Sequence, residues 1–178
     1  IGRSNKGARD IWCWILSAVI FIASLMLVGK ETVYSLRGFC GLGLSFAADG
    51  FGVILAVLTG AIWLITTIFS KEYMAAERNR NRYYFFVFLT LGATMGIFLS
   101  ADLFTTFIFF EIMSFTSFVL VMHDEEDFTV RSAKTYLAVA VIGGLVTLMG
   151  LFMMYQKAGT LNMTELTAFM QSRENPAE

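Results

Sequence analysis

Glu111 is the single charged residue in the apolar run 103–122, and it is the ninth of those twenty residues. A helix built from that run carries it near the middle of a bilayer. Charged groups at that depth cost about 2.5–3.5 kcal/mol on insertion scales for Asp, Lys or Arg. Its helical face holds Phe104, Phe107, Ile108, Ser114, Phe115 and Phe118. Ser114, three residues on, is the only one of these able to hydrogen-bond a carboxyl. An isolated ionised carboxylate is costly there unless a cation or water reaches it. A carboxyl whose charge depends on a partner's arrival is suited to carrying protons. The competing reading is a protonated Glu111 that joins helices by hydrogen bonding.

Two further charges flank the apolar runs. Asp102 precedes 103–122, where an acid suits both the cap and the dipole of a helix start. Lys134 and Tyr136 open the run 135–155. A lysine at a helix start faces the unfavourable end of the dipole, and reads as an interface anchor with its charge in the headgroups. His123-Asp124-Glu125-Glu126-Asp127 is rich in oxygen ligands but lacks the spaced acids and glycine of a calcium loop. It reads as a solvated turn, and no metal site is expected. Gly92 and Gly96, and Ala140 and Gly144, are small-x-x-x-small pairs that let helices approach closely.

Several chemistries are excluded by inventory. One His (His123) and two Cys (Cys13 and Cys40) cannot build a four-cysteine iron–sulfur site or a bis-His haem. No Gly-x-Gly-x-x-Gly, phosphate loop or catalytic triad occurs, so no cofactor or enzyme site is expected on this chain. The formal net charge of −1 gives no footprint for nucleic acid.

The elements that position Glu111 are membrane helices. Of 178 residues, 57% are hydrophobic and only 15% charged, with mean hydropathy +0.68. Soluble domains carry about 25% charged residues. Five stretches suffice to cross about 30 Å of hydrocarbon: 11–29, 51–70, 83–101, 103–122 and 135–155. The chain reads as one membrane domain, 1–178, all-α and polytopic. The link between the third and fourth spans is so short that they must form an antiparallel hairpin. Asn162 with Glu165 resembles a capping box, and 162–172 reads as an amphipathic helix on the membrane surface. Asn162-Met163-Thr164 is also a glycosylation sequon. The first span follows Arg3, Lys6 and Arg9 but is too long for a signal peptide. Nine Lys and Arg residues fall in loops on the N-terminal side (Arg3, Lys6, Arg9, Lys71, Arg78, Arg80, Arg82, Arg131, Lys134), and four on the other (Lys30, Arg37, Lys157, Arg173). That bias puts the N-terminus in the cytoplasm of a multi-pass cell-membrane protein.

The run Ala101-Asp102-Leu103-Phe104-Thr105-Thr106-Phe107-Ile108-Phe109-Phe110-Glu111-Ile112-Met113-Ser114 resembles the fifth-helix signature of the antiporter-like subunits of respiratory complex I. The same subunits occur in membrane-bound hydrogenases and Mrp-type sodium/proton antiporters. Ala48-Asp49-Gly50-Phe51, Phe69-Ser70-Lys71-Glu72-Tyr73-Met74, Ala133-Lys134-Thr135-Tyr136-Leu137 and Gly159-Thr160-Leu161-Asn162 extend the resemblance along nearly the whole chain. It implies that Glu111 is the proton-channel acid, with Lys134 as a charge partner and Asp102 as the acid that opens the helix; Ser114 supports Glu111 by its place on the helical face alone. The resemblance implies an inverted-repeat transporter fold, of which this chain holds part of the first repeat. Since it begins with Ile1, the chain reads as a fragment or a processed chain; against the family's further helices, it is either truncated or completed by another polypeptide. The implied function is proton or sodium/proton translocation, in membrane lipid, beside other subunits of a redox-driven complex of the NADH–quinone oxidoreductase or hydrogenase type. Redox cofactors would lie on those partners. An Mrp-type antiporter without redox chemistry and a purely structural membrane subunit are the alternatives.

Overall fold

Asp49 and Asp102 each end a loop and start a long helix. Asp49 accepts the Gly52 amide at 3.1 Å, and Asp102 accepts that of Thr105 at 2.7 Å. Such caps satisfy amides that have no partner within the helix. The structure is a computed structural model and describes residues 6–36, 38, 43–74, 79–123 and 126–174. In chain order it contains α1 (Lys6–Met26), β1 (Thr32–Leu36), β2 (Leu44–Ala48), α2 (Gly50–Tyr73), α3 (Arg80–Phe98), α4 (Leu103–Val121), α5 (Asp127–Ala158) and α6 (Met163–Glu174). Arg3, Arg37, Cys40, Arg78, Asp124 and Glu125 lie outside the described residues.

Four helices among the described residues are long and apolar enough to cross a membrane, within α1, α2, α4 and α5. The chain is thus a multi-pass membrane protein. α3, expected as a fifth span, is less apolar because its first turns carry Arg80, Asn81, Arg82, Tyr83 and Tyr84.

The helices meet along seams of small and polar residues. Between α1 and α2, Ser17 Oγ donates to Thr67 Oγ1 at 3.0 Å, and Gly60 packs on Phe21. Trp63 Nε1 on α2 donates to the Val87 carbonyl of α3 at 3.2 Å. Between α3 and α4, Thr90 Oγ1 donates to Thr116 Oγ1 at 2.8 Å, and Gly96 faces the Phe109 ring. Gly92, paired with Gly96 in the sequence pattern, has nothing within 4 Å of a built Cβ, so only one glycine of that pair makes the contact. Large apolar side chains point outward instead, among them Val19, Ile54, Ile65, Ile142 and Val146. Polar seams inside and apolar faces outside suit a bundle whose solvent is lipid.

Three elements differ from the sequence expectation. First, the chain is not wholly α: β1 and β2 form an antiparallel hairpin pairing Thr32 with Ala48 and Leu36 with Leu44. Five-residue strands are too short to show their alternation between long apolar runs. The outer edge of β2 is paired by the α3–α4 link, with Ala47 N donating to Leu99 O and Ala101 N to Ser45 O, both at 2.8 Å. Second, α3 stops at Phe98 rather than 101. Third, α5 begins at Asp127, eight residues before the apolar run. The segment 127–134 lacks Pro and Gly and includes the strong helix formers Ala133, Arg131 and Lys134.

Basic residues gather at one end of the bundle. Arg9 at the start of α1 donates to Asn81 Oδ1 at 2.9 Å, Arg80 to the Lys71 carbonyl at 3.2 Å, and Arg82 to the His123 carbonyl at 2.8 Å. At the opposite end Asn162 precedes α6, and its Oδ1 accepts from Thr164 N at 3.0 Å. Leu166 of α6 is buried and Met170 exposed.

Candidate functional site

Glu111 is placed by α4, and α4 is placed by Asp102. The Asp102 carboxylate is buried. It accepts from the Thr105 amide at 2.7 Å, the Thr105 hydroxyl at 2.6 Å and the Ser45 amide of β2 at 3.1 Å. The same turn is tied to the α5–α6 loop, since Leu103 N donates to Leu161 O at 3.0 Å and Met163 N to Ala101 O at 3.2 Å. Three chain segments therefore fix where α4 begins. Nine residues later, about 13 Å along the axis, stands Glu111.

Its carboxyl lies against α5 at Gly144. A Cβ built on Gly144 would stand 2.5 Å from Oε1 and 2.9 Å from Cδ and Oε2. Oε1 is buried and has no hydrogen-bond partner among the described residues. Ser114, expected to bond Glu111, does not satisfy that oxygen. It serves α5 differently: its carbonyl accepts from Tyr136 Oη at 3.3 Å. An open groove of about 550 Å³ between α4 and α5 is lined by Phe110, Ser114, Thr135, Tyr136, Val139, Ala140, Gly143, Gly144 and Thr147.

Lys134 is not brought to Glu111. It precedes Gly144 by ten residues, about 15 Å along α5, and its side chain is exposed. Because α5 starts at Asp127, Lys134 is the eighth helical residue, beyond the first turn where the dipole acts. It does not open the helix.

Two features go beyond the sequence pattern. The spacing marks Gly144 as a packing residue, and a small-x-x-x-small pair does not say what sits on it. Asp10 is buried between two guanidinium groups, with Arg9 Nη2 at 3.0 Å and Arg80 Nη2 at 3.6 Å. An acid inside the first turns of an apolar helix beside a basic cluster was the available signal.

Residues 100–177 match the family described as NADH:quinone oxidoreductase/Mrp antiporter, TM. Among curated proteins, the chain is 29% identical over 124 residues to a Na(+)/H(+) antiporter subunit of Alkalihalophilus pseudofirmus, covering 70% of this chain and 25% of that protein. It is 35% identical over 127 residues to a protein of Staphylococcus haemolyticus named as antiporter subunit mnhD2, with the same coverage. It thus spans about a quarter of the length of these relatives. Among solved structures, a chain of the membrane-bound sulfane sulfur reductase, an archaeal respiratory membrane complex, aligns with TM-score 0.78 at 18% identity, over 88% of this chain and 34% of that one. A chain of the Mrp complex from Dietzia sp. DQ12-45-1b aligns with TM-score 0.74 at 22% identity, over 88% and 31%. The acid-bearing α4 lies inside the matched segment, and in this segment the chain is similar to antiporter-like membrane subunits.

Proposed function

We propose that Glu111 takes up and releases a proton within the membrane, as the relay acid of an ion-translocating subunit. The observation that carries this reading is its buried and unpartnered Oε1, held between α4 and α5. A carboxyl with no fixed donor changes state when a proton or a cation arrives, which is what a relay needs. Asp102 positions α4, and Ser114 holds α5 through Tyr136. Lys134 stands nearer the basic end, where it assists charge entry rather than pairing with Glu111.

The subunit moves protons, or exchanges sodium for protons, inside a larger membrane assembly. α3 crosses the membrane together with the four more apolar helices, giving five spans and part of the first repeat of an inverted-repeat fold. The basic end faces the cytoplasm of the cell membrane, in line with the charge bias, and α6 lies on the opposite surface. In a redox-driven complex, electron transfer in partner subunits that carry the cofactors alters the field at Glu111 and so its hold on the proton. A second reading, exchange driven by ion gradients without redox chemistry, is favoured by the curated relatives named as antiporter subunits.

The test is Glu111→Gln in the complete complex, reconstituted in proteoliposomes. Ion transport is expected to fall at least about tenfold, the lower range of general acid–base contributions being on the order of 100-fold, with assembly intact. Wild-type transport would leave Glu111 as a helix contact only. Adding an electron donor in one arm and imposing an ion gradient in the other separates the two drives.

A further inference from the structure

The three atoms closest to a Cβ built on Gly144 are all carboxyl atoms of Glu111, at 2.5, 2.9 and 2.9 Å. The adjacent Gly143 has nothing within 4 Å. The two glycines therefore differ: one faces open space and the other is the surface on which the acid rests. Gly144 also lines the groove that holds Ser114, Tyr136 and Thr147. It thus touches both that groove and the carboxyl with the buried Oε1.

We propose that Gly144 is the positioning residue for the relay acid: its bare Cα leaves the space in which the Glu111 carboxyl sits, and any side chain there moves the carboxyl away. The inference rests on the relay reading of Glu111. The atoms that a new Cβ would displace are the far end of a flexible side chain, so the carboxyl swings aside and α4 and α5 stay together. Alanine is also the better helix former. Gly144→Ala therefore changes where the acid is without undoing the fold. Displacing a reacting group by about 1 Å costs on the order of 100-fold in favourable cases.

The experiment uses the complete complex in proteoliposomes with Gly144→Ala, Gly143→Ala, Glu111→Asp and the double variant Glu111→Asp, Gly144→Ala. Gly144→Ala is expected to assemble and to lose about tenfold or more in transport, while Gly143→Ala transports as wild type. The shorter aspartate leaves room for the new methyl, so the double variant is expected to lose less transport than the product of the two single losses. The infrared band of the Glu111 carboxyl, assigned by its loss in Glu111→Gln, is expected to shift in Gly144→Ala and not in Gly143→Ala. Unchanged transport and an unchanged band in Gly144→Ala would overturn the proposal. So would a loss of assembly that the aspartate does not repair, because the glycine would then serve helix contact alone. If Glu111→Gln transports normally while the band shifts, the relay reading fails and the seat at Gly144 stands.

Discussion

The Asp102 carboxylate accepts the Ser45 amide at 3.1 Å and the Thr105 amide at 2.7 Å, so one side chain both caps α4 and holds the hairpin against it. The Thr105 hydroxyl completes the set, donating to Asp102 at 2.6 Å and accepting from Ser45 N at 2.9 Å. Asp102→Ala strips the cap and leaves these buried donors without their acceptor. The expected loss is about 2 kcal/mol, read as a lower melting temperature of the purified complex. Asp102→Asn keeps an acceptor and is expected to lose less. Equal stability of Asp102→Ala and wild type would show that the cap is not what holds this junction.

Asp10 sits between Arg9 and Arg80, and all three side chains are at most about one-tenth exposed. Removing the acid leaves two buried guanidinium groups without their counter-charge. Asp10→Ala is expected to cost about 3 kcal/mol, within the range for breaking a buried pair from one side. The joint variant Asp10→Ala, Arg80→Leu is expected to recover part of that loss, because the stranded charge goes with it. Thermal unfolding in one detergent measures both, and a double variant less stable than Asp10→Ala would refute the account.

Lys134 and Glu111 lie at levels of α5 about 15 Å apart. Groups separated by more than about 7–10 Å with no shared partner contribute independently to stability. The stability changes of Lys134→Ala and Glu111→Gln are therefore expected to add within about 0.5 kcal/mol. A double-variant cycle in thermal or denaturant unfolding checks this, and a clear coupling energy would mean that the two charges meet.

Much of the scaffold is legible in the sequence because lipid demands long apolar runs, and such runs survive without knowledge of what they touch. The acid in 103–122 is visible for the same reason: one charge in twenty residues has no background to hide in. What the runs do not contain is the rotation of one helix against another. Ser114 shares a helical face with Glu111, yet its bond to α5 is made by its backbone carbonyl, which accepts from Tyr136 Oη. Gly144 and Gly96 sit in pairs of the same spacing, yet one meets the Glu111 carboxyl and the other the Phe109 ring, while Gly92 meets nothing. The hairpin and the first eight residues of α5 are specified by backbone pairing and helix propensity, which hydropathy does not register.

α5 has 32 residues and is about 48 Å long, against about 30 Å of hydrocarbon. A tilt of the usual 20° does not absorb that excess, so the first turns of α5 stand in the headgroup and water layers. The apolar run of α5 is 135–155, and Gly144 is its tenth residue of 21. Glu111 occupies the equivalent place in 103–122. Sliding α5 along α4 by one residue would carry the acid off its glycine, and would also expose apolar side chains at one border while drawing polar ones in at the other. Bilayer thickness thus acts as a ruler for the acid–glycine alignment, and membranes markedly thinner or thicker than the native one strain that register from both ends.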